Sequence, residues 1–216
     1  MEHRGYAKEA DWVQLRVAVP KQTPERFLRV GELVQKRFGL TFTKLTRRLI
    51  RKEGYGRKIF NLLNEAYAPL FGYSKLSDKQ IDTLVDTYLN FVNLNFFTII
   101  HDASGQLAGV GVTMGSLSKA MQKAKGSLFP FGWYHVLKAK NDFTHLDLML
   151  EGAAPKWQNT GISAVFHGMM AQQYKECGAK WALANPQIET NNAVNVWARY
   201  EHELWLRRRC WIRKIK

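Results

Sequence analysis

The sequence predicts an α/β (α+β) fold, in which short strands and amphipathic helices surround one hydrophobic core. The clearest strand is His145–Glu151, where leucines alternate with other residues, the period of a strand with one buried face. Apolar side chains between Ile162 and Cys177 recur instead at helical spacing, and Gly178 follows where helices commonly end. With 216 residues, 46% of them hydrophobic, the chain is long enough to bury one good core.

The first fifty residues predict an appended strand–helix–strand unit. Residues Trp12–Val19 alternate as a strand, and a helix with Thr23 as its N-cap runs to Phe38. Leu40–Leu45 follows as a second strand, and a basic cluster then leads to a glycine-rich junction. We therefore divide the chain into an appended unit, 1–50, and a main domain, 51–216.

Two amphipathic helices open the main domain. The first begins at Lys58, and Pro69 is expected to end or kink it, because proline lacks the amide N–H that a helix interior needs. The second begins with a capping box formed by Ser77 and Gln80 and extends to Leu89. The loop between them contains Phe71 and Tyr73, whose rings either pack the corner between the helices or face a substrate.

Two apolar strands come next, Asn95–His101 and Leu107–Met114, joined by a hairpin turn. Glycines in the second strand indicate bulges or close backbone approach. Short helical segments follow around Leu117–Lys125 and Phe131–Lys140. Between these segments lies the aromatic stretch GSLFPFGW, for which buried packing is the favoured prediction over a place in the wall of an acyl or acceptor pocket.

Composition limits the possible classes of function. Thirty-two Lys and Arg against eighteen Asp and Glu give a net charge of +14. Such a charge favours a polyanionic partner such as nucleic acid, an anionic membrane or a phosphorylated ligand, although a solvated basic surface explains it equally well. No apolar run approaches the ~20 residues that span a bilayer, and the first ten residues lack the apolar region of a signal peptide, so a cytoplasmic protein is expected. The two cysteines and six histidines show no metal-ligand spacing, so no metal is expected.

A polar loop, Gln158–Ser163, lies between the strand that begins at His145 and the helix that begins near Ile162. The first amide N–H groups of a helix have no partner inside it, and the helix dipole adds about half a positive charge there. A loop in this position suits a phosphate or pyrophosphate. An ordinary strand–turn–helix connection is the alternative.

Gln158, Gly161 and Ser163 fall on the motif Q/R-x-x-G-x-G/A, and at these residues the chain resembles the GNAT acyltransferase superfamily. Ser163 replaces the usual glycine or alanine. The downstream order matches as well, with a strand at Lys180–Ala184, the sequence Glu-Thr-Asn leading into a helix at 189–191, and a closing strand. Upstream, the resemblance extends to about Trp12 and covers the stretches LNEAYAPLFGYSKLSDKQID and SLFPFGWYHVL. These look like a bacterial GNAT subfamily of longer chains and poorly defined substrate, of which this chain would be the C-terminal half.

The resemblance implies a mixed, mostly antiparallel, splayed sheet flanked by helices, and an acetyl-CoA or acyl-CoA donor. It places the donor against Ala153, Gln158, Asn159, Thr160, Gly161, Ile162, Ser163 and Asn191. The acceptor implied is the amine of a small molecule or peptide, which Tyr67, Phe71 and Tyr73 would contact from the substrate-side loop and the helix before it.

Acyl transfer to an amine needs a base, and two carboxylates are candidates. Glu151 and Glu189 lie near the C-terminal ends of adjacent predicted strands, and Glu189 precedes Asn191 in an E-x-N arrangement that resembles the subfamily. Either carboxylate could instead be structural. The family's usual acid is a tyrosine on the next helix; Tyr200 is the tyrosine available, but it lies later than the common spacing and Trp197 lies nearer. Solvent is the alternative acid.

The closing segment Leu204–Ile215 interleaves basic and aromatic residues. Such a pattern binds nucleic acid in some proteins, but more often it is an edge strand whose Trp and Ile are buried and whose Arg are solvated. Two rival functions therefore stay open. One is a tandem-GNAT type of transferase that uses a charged tRNA donor, and the other is a degenerate GNAT domain that binds RNA or a protein partner.

Overall fold

A computed structural model describes residues 1–88, 92–191, 196–197 and 199–215. Its strands are β1 (Ala7–Ala18), β2 (Thr41–Phe42), β3 (Phe97–His101), β4 (Leu107–Gly115), β5 (His145–Ala153), β6 (Trp181–Ala184), β7 (Gln187–Ile188) and β8 (His202–Ile212). Its α-helices are α1 (Glu25–Phe38), α2 (Arg47–Lys52), α3 (Tyr55–Tyr67), α4 (Asp78–Tyr88), α5 (Ser118–Lys123), α6 (Gly132–Ala139) and α7 (Ile162–Glu176). Short 3-10 turns lie at Glu2–Arg4, Leu94–Phe96 and Pro155–Trp157.

The strands form one sheet in the order β2-β3-β4-β5-β6-β1-β7, and β8 pairs with β1 along its other edge. The pair β5 and β6 is parallel, whereas the other pairings among the described residues are antiparallel. The parallel register runs from His145 opposite Trp181 to Leu148 opposite Ala184. Beyond Leu148, β5 continues to Ala153 without β6 beside it, so the sheet splays at this point. The predicted fold class is therefore confirmed.

Helices cover the sheet on both sides. On one face α1 packs against α7, and the apolar side chains beneath them include Val34, Leu146 and Phe166. On the other face α3 lies over β4 and β5, with Leu63 and Val110 in a second apolar cluster. The residues that the sequence predicts as an appended unit belong to this one sheet, because β1 lies between β6 and β8, and β2 pairs with β3.

An ion-pair cluster ties β8 to β1. The carboxylate of Asp11 has no exposed surface and accepts hydrogen bonds from Arg209 at 2.7 and 2.9 Å and from Arg207 at 3.2 Å. The Arg209 guanidinium holds the pKa of Asp11 well below its usual range. Lys8 Nζ lies 3.5 Å from the same carboxylate.

Several local predictions are confirmed. Gln80 Oε1 accepts a hydrogen bond from the Ser77 amide at 2.9 Å, and the Gln80 amide donates to Ser77 Oγ at 3.4 Å, which is the predicted capping box. A Cβ added at Gly109 would lie 2.5 Å from the ring of Phe166, so the predicted close approach occurs where α7 crosses β4.

Other predictions are wrong. Pro24, rather than Thr23, occupies the N-cap of α1, and no side chain caps that helix. Only Thr41 and Phe42 of the strand predicted at Leu40–Leu45 form a strand, β2. A helix begins after Thr46, which caps it: the Leu49 amide donates to Thr46 Oγ1 at 3.2 Å. This helix, α2, is not among the elements predicted from the sequence. The predicted end of the second helix, Leu89, and most of the predicted helix after Asn191 lie outside the described residues.

Two predictions of burial also fail. The aromatic stretch between α5 and α6 is exposed, with Phe129 at 86% and Phe131 at 72%. It also lines neither of the two cavities that lie beside β5, one next to β6 and one at the start of α7. In β8, Trp205 and Ile212 are about half exposed rather than buried, because the strand packs edge-on against β1 and no described helix covers it.

Candidate active site

The splay between β5 and β6 opens a cavity of about 370 Å³. Residues on β5 and around the end of β6 form its floor, including Leu148, Glu151 and Asn185. The predicted substrate-side residues lie in its wall: Tyr67 from the end of α3, and Phe71 and Tyr73 from the loop after it. We call this space the β5–β6 cavity.

The α3–α4 loop is held in place by hydrogen bonds and ring contacts. Tyr73 Oη donates to Asn64 Oδ1 at 2.7 Å, and the Tyr73 ring meets the Tyr67 ring edge-on, with centroids 5.6 Å apart. Phe71 contacts Trp12 of β1, with centroids 5.9 Å apart. Tyr73 therefore packs the corner between the helices, Phe71 packs on β1, and both side chains also line the cavity.

A second groove, of about 510 Å³, runs from the end of β5 to the start of α7. We call it the donor groove. Its wall contains most of the residues that the resemblance assigns to the donor: Ala153, Gln158, Asn159, Gly161, Ile162, Ser163 and Asn191. Thr160 is outside this wall, because its hydroxyl donates to the Trp157 carbonyl at 2.7 Å and closes the turn instead.

The loop geometry fits an anionic group at the start of α7. Gly161 has φ of 91°, in the left-handed region, which turns the chain into the helix. Gln158 Nε2 donates to the Ala153 carbonyl at 3.2 Å and fixes the loop to β5. Within the described part of the chain, the amide N–H groups of Gly161, Ile162 and Ser163 have no acceptor. These unpaired donors, with the positive end of the α7 dipole, suit the pyrophosphate of coenzyme A.

The β5–β6 cavity and the donor groove meet at one point. Four residues lie in the walls of both: Tyr67, Leu70, Glu151 and Asn191. A ligand in the donor groove and a second ligand in the β5–β6 cavity would therefore approach each other beside Glu151.

Glu151 has the environment of a base with a raised pKa. Its Oε2 atom is buried and has no hydrogen-bond partner among the described residues. Burial raises the pKa of Glu151 to about 7, because the charged form loses its hydration. The backbone around it is fixed by Tyr67, whose Oη donates to the Glu151 carbonyl at 2.8 Å and accepts from the Glu151 amide at 3.2 Å.

Glu189, the other predicted base, has a different environment. Its carboxylate is exposed and lies 2.6 Å from Lys8 Nζ, and it is in the wall of neither the β5–β6 cavity nor the donor groove. The structure therefore brings Glu151 to the junction and pairs Glu189 with a lysine at the surface.

Tyr200, the predicted acid, is in the wall of neither the β5–β6 cavity nor the donor groove, although Glu151 is near enough to contribute to its raised pKa. Its Oη is 3.1 Å from Nδ1 of His167, and its ring stacks on Phe27, with centroids 5.2 Å apart. Burial raises the pKa of Tyr200 and lowers that of His167 to about 4. Trp197, the residue nearer the family's spacing, is in the wall of the β5–β6 cavity.

Several residues of the cavity wall are not among those predicted from the sequence. Met170 belongs to the helical pattern of α7, and nothing local distinguishes it from the rest of the core-facing residues. Trp12 reaches the cavity because β1 pairs with β7 at Ile188. That pairing joins residues far apart in the chain, so no local pattern predicts it.

Comparison with known proteins identifies the fold. A GCN5-related N-acetyltransferase from Sphaerobacter thermophilus matches 99% of this chain with a TM-score of 0.59 and 14% identity. The glucosamine N-acetyltransferase region of a fungal multi-domain GH3 β-N-acetylglucosaminidase matches 97% with a TM-score of 0.58 and 11% identity. A tandem GNAT protein from the clavulanic acid biosynthesis pathway matches 96% with a TM-score of 0.53 and 9% identity.

This chain covers 55%, 22% and 54% of those three proteins, in the same order. No family model matches the sequence, and no curated protein matches it. Among the described residues, no helix is long and apolar enough to cross a membrane.

Proposed function

The chain has the GNAT fold, and on that premise we propose that it is an N-acyltransferase that moves an acetyl or longer acyl group from acyl-CoA to an amine. The observation that carries the proposal is the junction at Glu151. There a groove suited to a pyrophosphate meets a second cavity, beside a carboxylate whose pKa is near neutrality.

The donor groove would hold acyl-CoA along the loop Gln158–Ser163. The unpaired N–H groups at the start of α7 would bind the pyrophosphate, and Gln158 keeps the loop against β5. The stretch of β5 past Leu148 has no strand partner on the β6 side. The amide-bearing arm of the donor would lie along this edge, where the side chains of Asn185, Tyr67 and Gln158 hydrogen-bond the backbone of Met149, Glu151 and Ala153. The thioester would then lie at the junction, and it supplies the acyl group that the amine attacks.

In this proposal Glu151 acts as the base. An alkylamine has a pKa of about 10.4, so at neutral pH it must lose a proton before it can attack a thioester. A carboxylate with a pKa of about 7 is half ionised at neutral pH and accepts a proton far better than an ordinary glutamate. Tyr67 hydrogen-bonds both the carbonyl and the amide of Glu151, so it fixes the backbone position from which the Glu151 side chain extends.

The same carboxyl group can return the proton. A departing thiolate has a conjugate acid with a pKa of about 8.5, so it takes a proton from a carboxyl group of pKa about 7. This route needs no tyrosine as the acid: Tyr200 contacts His167, and the Oη of Tyr67, the tyrosine at the junction, is hydrogen-bonded to the Glu151 backbone. Asn191 and Trp197 complete the wall around the reacting groups.

A second candidate is transfer from a charged tRNA donor. The observation that favours it is β8, which exposes Trp205 and Arg208 on a chain of net charge +14. Binding of a nucleic acid should weaken log-linearly with salt, whereas a coenzyme A site should still stabilise the chain thermally at moderate salt. Equal retention of tRNA and an unrelated duplex on a filter would count against a tRNA donor.

Calorimetry with coenzyme A tests the donor groove. The wild type should bind, and Gly161→Asp should abolish binding, since it adds negative charge beside the proposed pyrophosphate and a Cβ that would lie 3.0 Å from Val34. Gly105→Asp is the matched control: Gly105 also has a positive φ, of 80°, but it lies in the β3–β4 turn, where no atom of the described residues comes within 4 Å of its Cβ position. An absence of binding by the wild type at millimolar coenzyme A would end the acyl-CoA proposal.

A further inference from the structure

The turn between α5 and α6 carries a concentrated group of exposed apolar side chains. Phe129 and Phe131 are 86% and 72% exposed. Four neighbouring side chains are also at least half exposed: Leu128, Trp133, Tyr134 and Leu137. We call the whole set the apolar tip: Leu128, Phe129, Phe131, Trp133, Tyr134 and Leu137.

Hydrogen bonds within the turn fix its backbone. Ser127 Oγ donates to the Phe129 carbonyl at 2.9 Å, and Trp133 Nε1 donates to the Pro130 carbonyl at 2.9 Å. Gly132 is buried at the centre, where a Cβ would lie 1.8 Å from the Ser127 carbonyl oxygen. With the interior of the turn filled by its own backbone, the two phenylalanine rings are left largely uncovered by the described part of the chain.

Within residues 117–140 the charges around the apolar tip are all positive, and the first carboxylate beyond them, Asp142, lies near Lys119. Residues 117–140 contain five lysines and no aspartate or glutamate. Lys119, Lys123, Lys125 and Lys138 are exposed, two of them on α5, one in the turn and one on α6. The tip is therefore an apolar surface with a basic border.

We propose that the apolar tip docks on the surface of an anionic phospholipid bilayer. Phenylalanine and leucine side chains would enter the boundary between headgroups and acyl chains, as the apolar face of an interfacial segment does. Trp133 and Tyr134 carry a polar atom on a large ring, which suits the headgroup level. The four exposed lysines would face lipid phosphates, each with a favourable contribution near a negative surface.

Charge complementarity favours a bilayer over the other occupants. A protein partner or a second copy of this chain, which has a net charge of +14, would have to match the four exposed lysines around the tip. A nucleic acid would match the lysines, and its bases can stack on the aromatic rings, but it offers no acyl-chain layer to Leu128 and Leu137. An anionic bilayer supplies both the negative charge and the apolar layer.

The position of the tip leaves the active-site region free. The tip follows the end of β4 at Gly115 and precedes the start of β5 at His145, whereas the donor groove lies at the far end of β5 around Ala153. A strand of this length spans about 27 Å. A docked surface would therefore not cover the groove, and the inference does not rest on the proposed acyl transfer.

Vesicle sedimentation of the full chain tests the proposal. The wild type should pellet with vesicles of phosphatidylcholine and phosphatidylglycerol at about 7:3, and at least about tenfold less strongly with phosphatidylcholine alone. Replacing both phenylalanines, Phe129→Ser with Phe131→Ser, should weaken binding to the anionic vesicles at least about tenfold. The matched control is Leu33→Ser on α1, which is 67% exposed and lies outside the apolar tip, and it should bind as the wild type does.

Quenching by brominated lipid gives a second, positional readout. Trp133 and Trp205 are similarly exposed, at 50% and 53%, but only Trp133 belongs to the apolar tip. Brominated phosphatidylcholine mixed with phosphatidylglycerol should quench part of the wild-type fluorescence. Trp133→Phe should remove most of that quenching, whereas Trp205→Phe should leave it in place.

Three outcomes would overturn the proposal. The first is no pelleting of the wild type at millimolar anionic lipid. The second is equal loss of vesicle binding in the phenylalanine variant and in Leu33→Ser. The third is a change in oligomeric state or in RNA binding on replacing the phenylalanines, with vesicle binding unaltered, which would assign the tip to that other partner. An unchanged melting temperature and unchanged coenzyme A affinity would show that the exposed substitutions leave the fold intact.

Discussion

Glu151 and Glu189 are two carboxylates near the same end of the sheet with opposite surroundings. Glu151 is buried with an unpaired oxygen at the junction of the two cavities, whereas Glu189 is exposed and paired with Lys8. We expect Glu151→Gln to lower turnover by ~10²–10⁴-fold, since a positioned base contributes about that factor, with coenzyme A affinity nearly unchanged. Glu189→Gln is the control of the same chemical type and should keep turnover within a few-fold. Steady-state kinetics that showed the reverse order would move the base to Glu189.

The raised pKa of Glu151 also predicts how stability depends on pH. The carboxyl group has a pKa of about 7 in the folded chain, whereas the ordinary value is 4.5. Between these two values the unfolded chain loses the proton while the folded chain keeps it, so the free energy of unfolding falls as pH rises through that window. A glutamine side chain cannot ionise, so Glu151→Gln should be more stable than the wild type at pH ~7.5, by at most about 3 kcal/mol, and should lose this advantage near pH 4.5.

Urea denaturation measures this difference in stability at two pH values. One lies near 4.5, the ordinary pKa of a glutamate, and the other lies above the pKa of about 7 that Glu151 has in the folded chain. If the variant and the wild type differed by the same amount at both pH values, the carboxyl group would not be titrating in the folded chain as proposed. A wild-type pH–rate profile that rises with a midpoint near pH 7 would agree with the stability data.

At the scale of elements, α7 is placed by its contact with β4. Phe166 projects from α7 onto Gly109, where an added Cβ would lie 2.5 Å from the ring, and the next position on the same face, Gly111, has its nearest atom at 3.5 Å. Gly109→Ala should therefore destabilise the chain by about 1–3 kcal/mol through overpacking and should weaken coenzyme A binding, because the start of α7 moves with the helix.

Gly111→Ala, on the same strand, is the control and should change the urea midpoint far less. If the two alanine variants were equally stable, the close contact between Phe166 and β4 would not be what positions α7.

Local elements are the part of the fold that sequence patterns can predict. The capping box at Ser77, the strand His145–Glu151 and the loop Gln158–Ser163 each depend on neighbours within a few residues, and each is present in the structure. The helix α2 escapes prediction because its basic side chains give no apolar periodicity. The burial predicted for the aromatic turn before α6 is wrong, because apolar composition says nothing about which side chains the backbone turns outward.

At the scale of the whole molecule, the position of β1 decides much of the site. It pairs with β6, β7 and β8, and it brings Trp12 to the β5–β6 cavity. A chain without residues 1–50 should therefore lose cooperative unfolding and coenzyme A binding. Circular dichroism on heating measures the first and calorimetry the second; a cooperative transition in residues 51–216 alone would show that the first fifty residues are a separable unit.

Long-range pairing is also why only part of the candidate site is predictable. The donor loop is one continuous stretch, so its residues can be named from the sequence. Which strands lie side by side decides which of Glu151 and Glu189 reaches the junction, and it leaves Tyr200 outside the walls of both cavities. Strand order joins residues from opposite ends of the chain, such as Ala7 and Ile212, and single-sequence patterns do not contain it.

A crystal structure of the chain with coenzyme A tests the central claim most directly, because it shows where the donor lies relative to Glu151. We predict density for the pyrophosphate at the amide groups of Gly161, Ile162 and Ser163, for the pantetheine arm along β5 past Leu148, and for the sulfur beside the Glu151 carboxyl group. Coenzyme A bound elsewhere, or a sulfur nearer to Glu189 than to Glu151 in that density, would contradict the account.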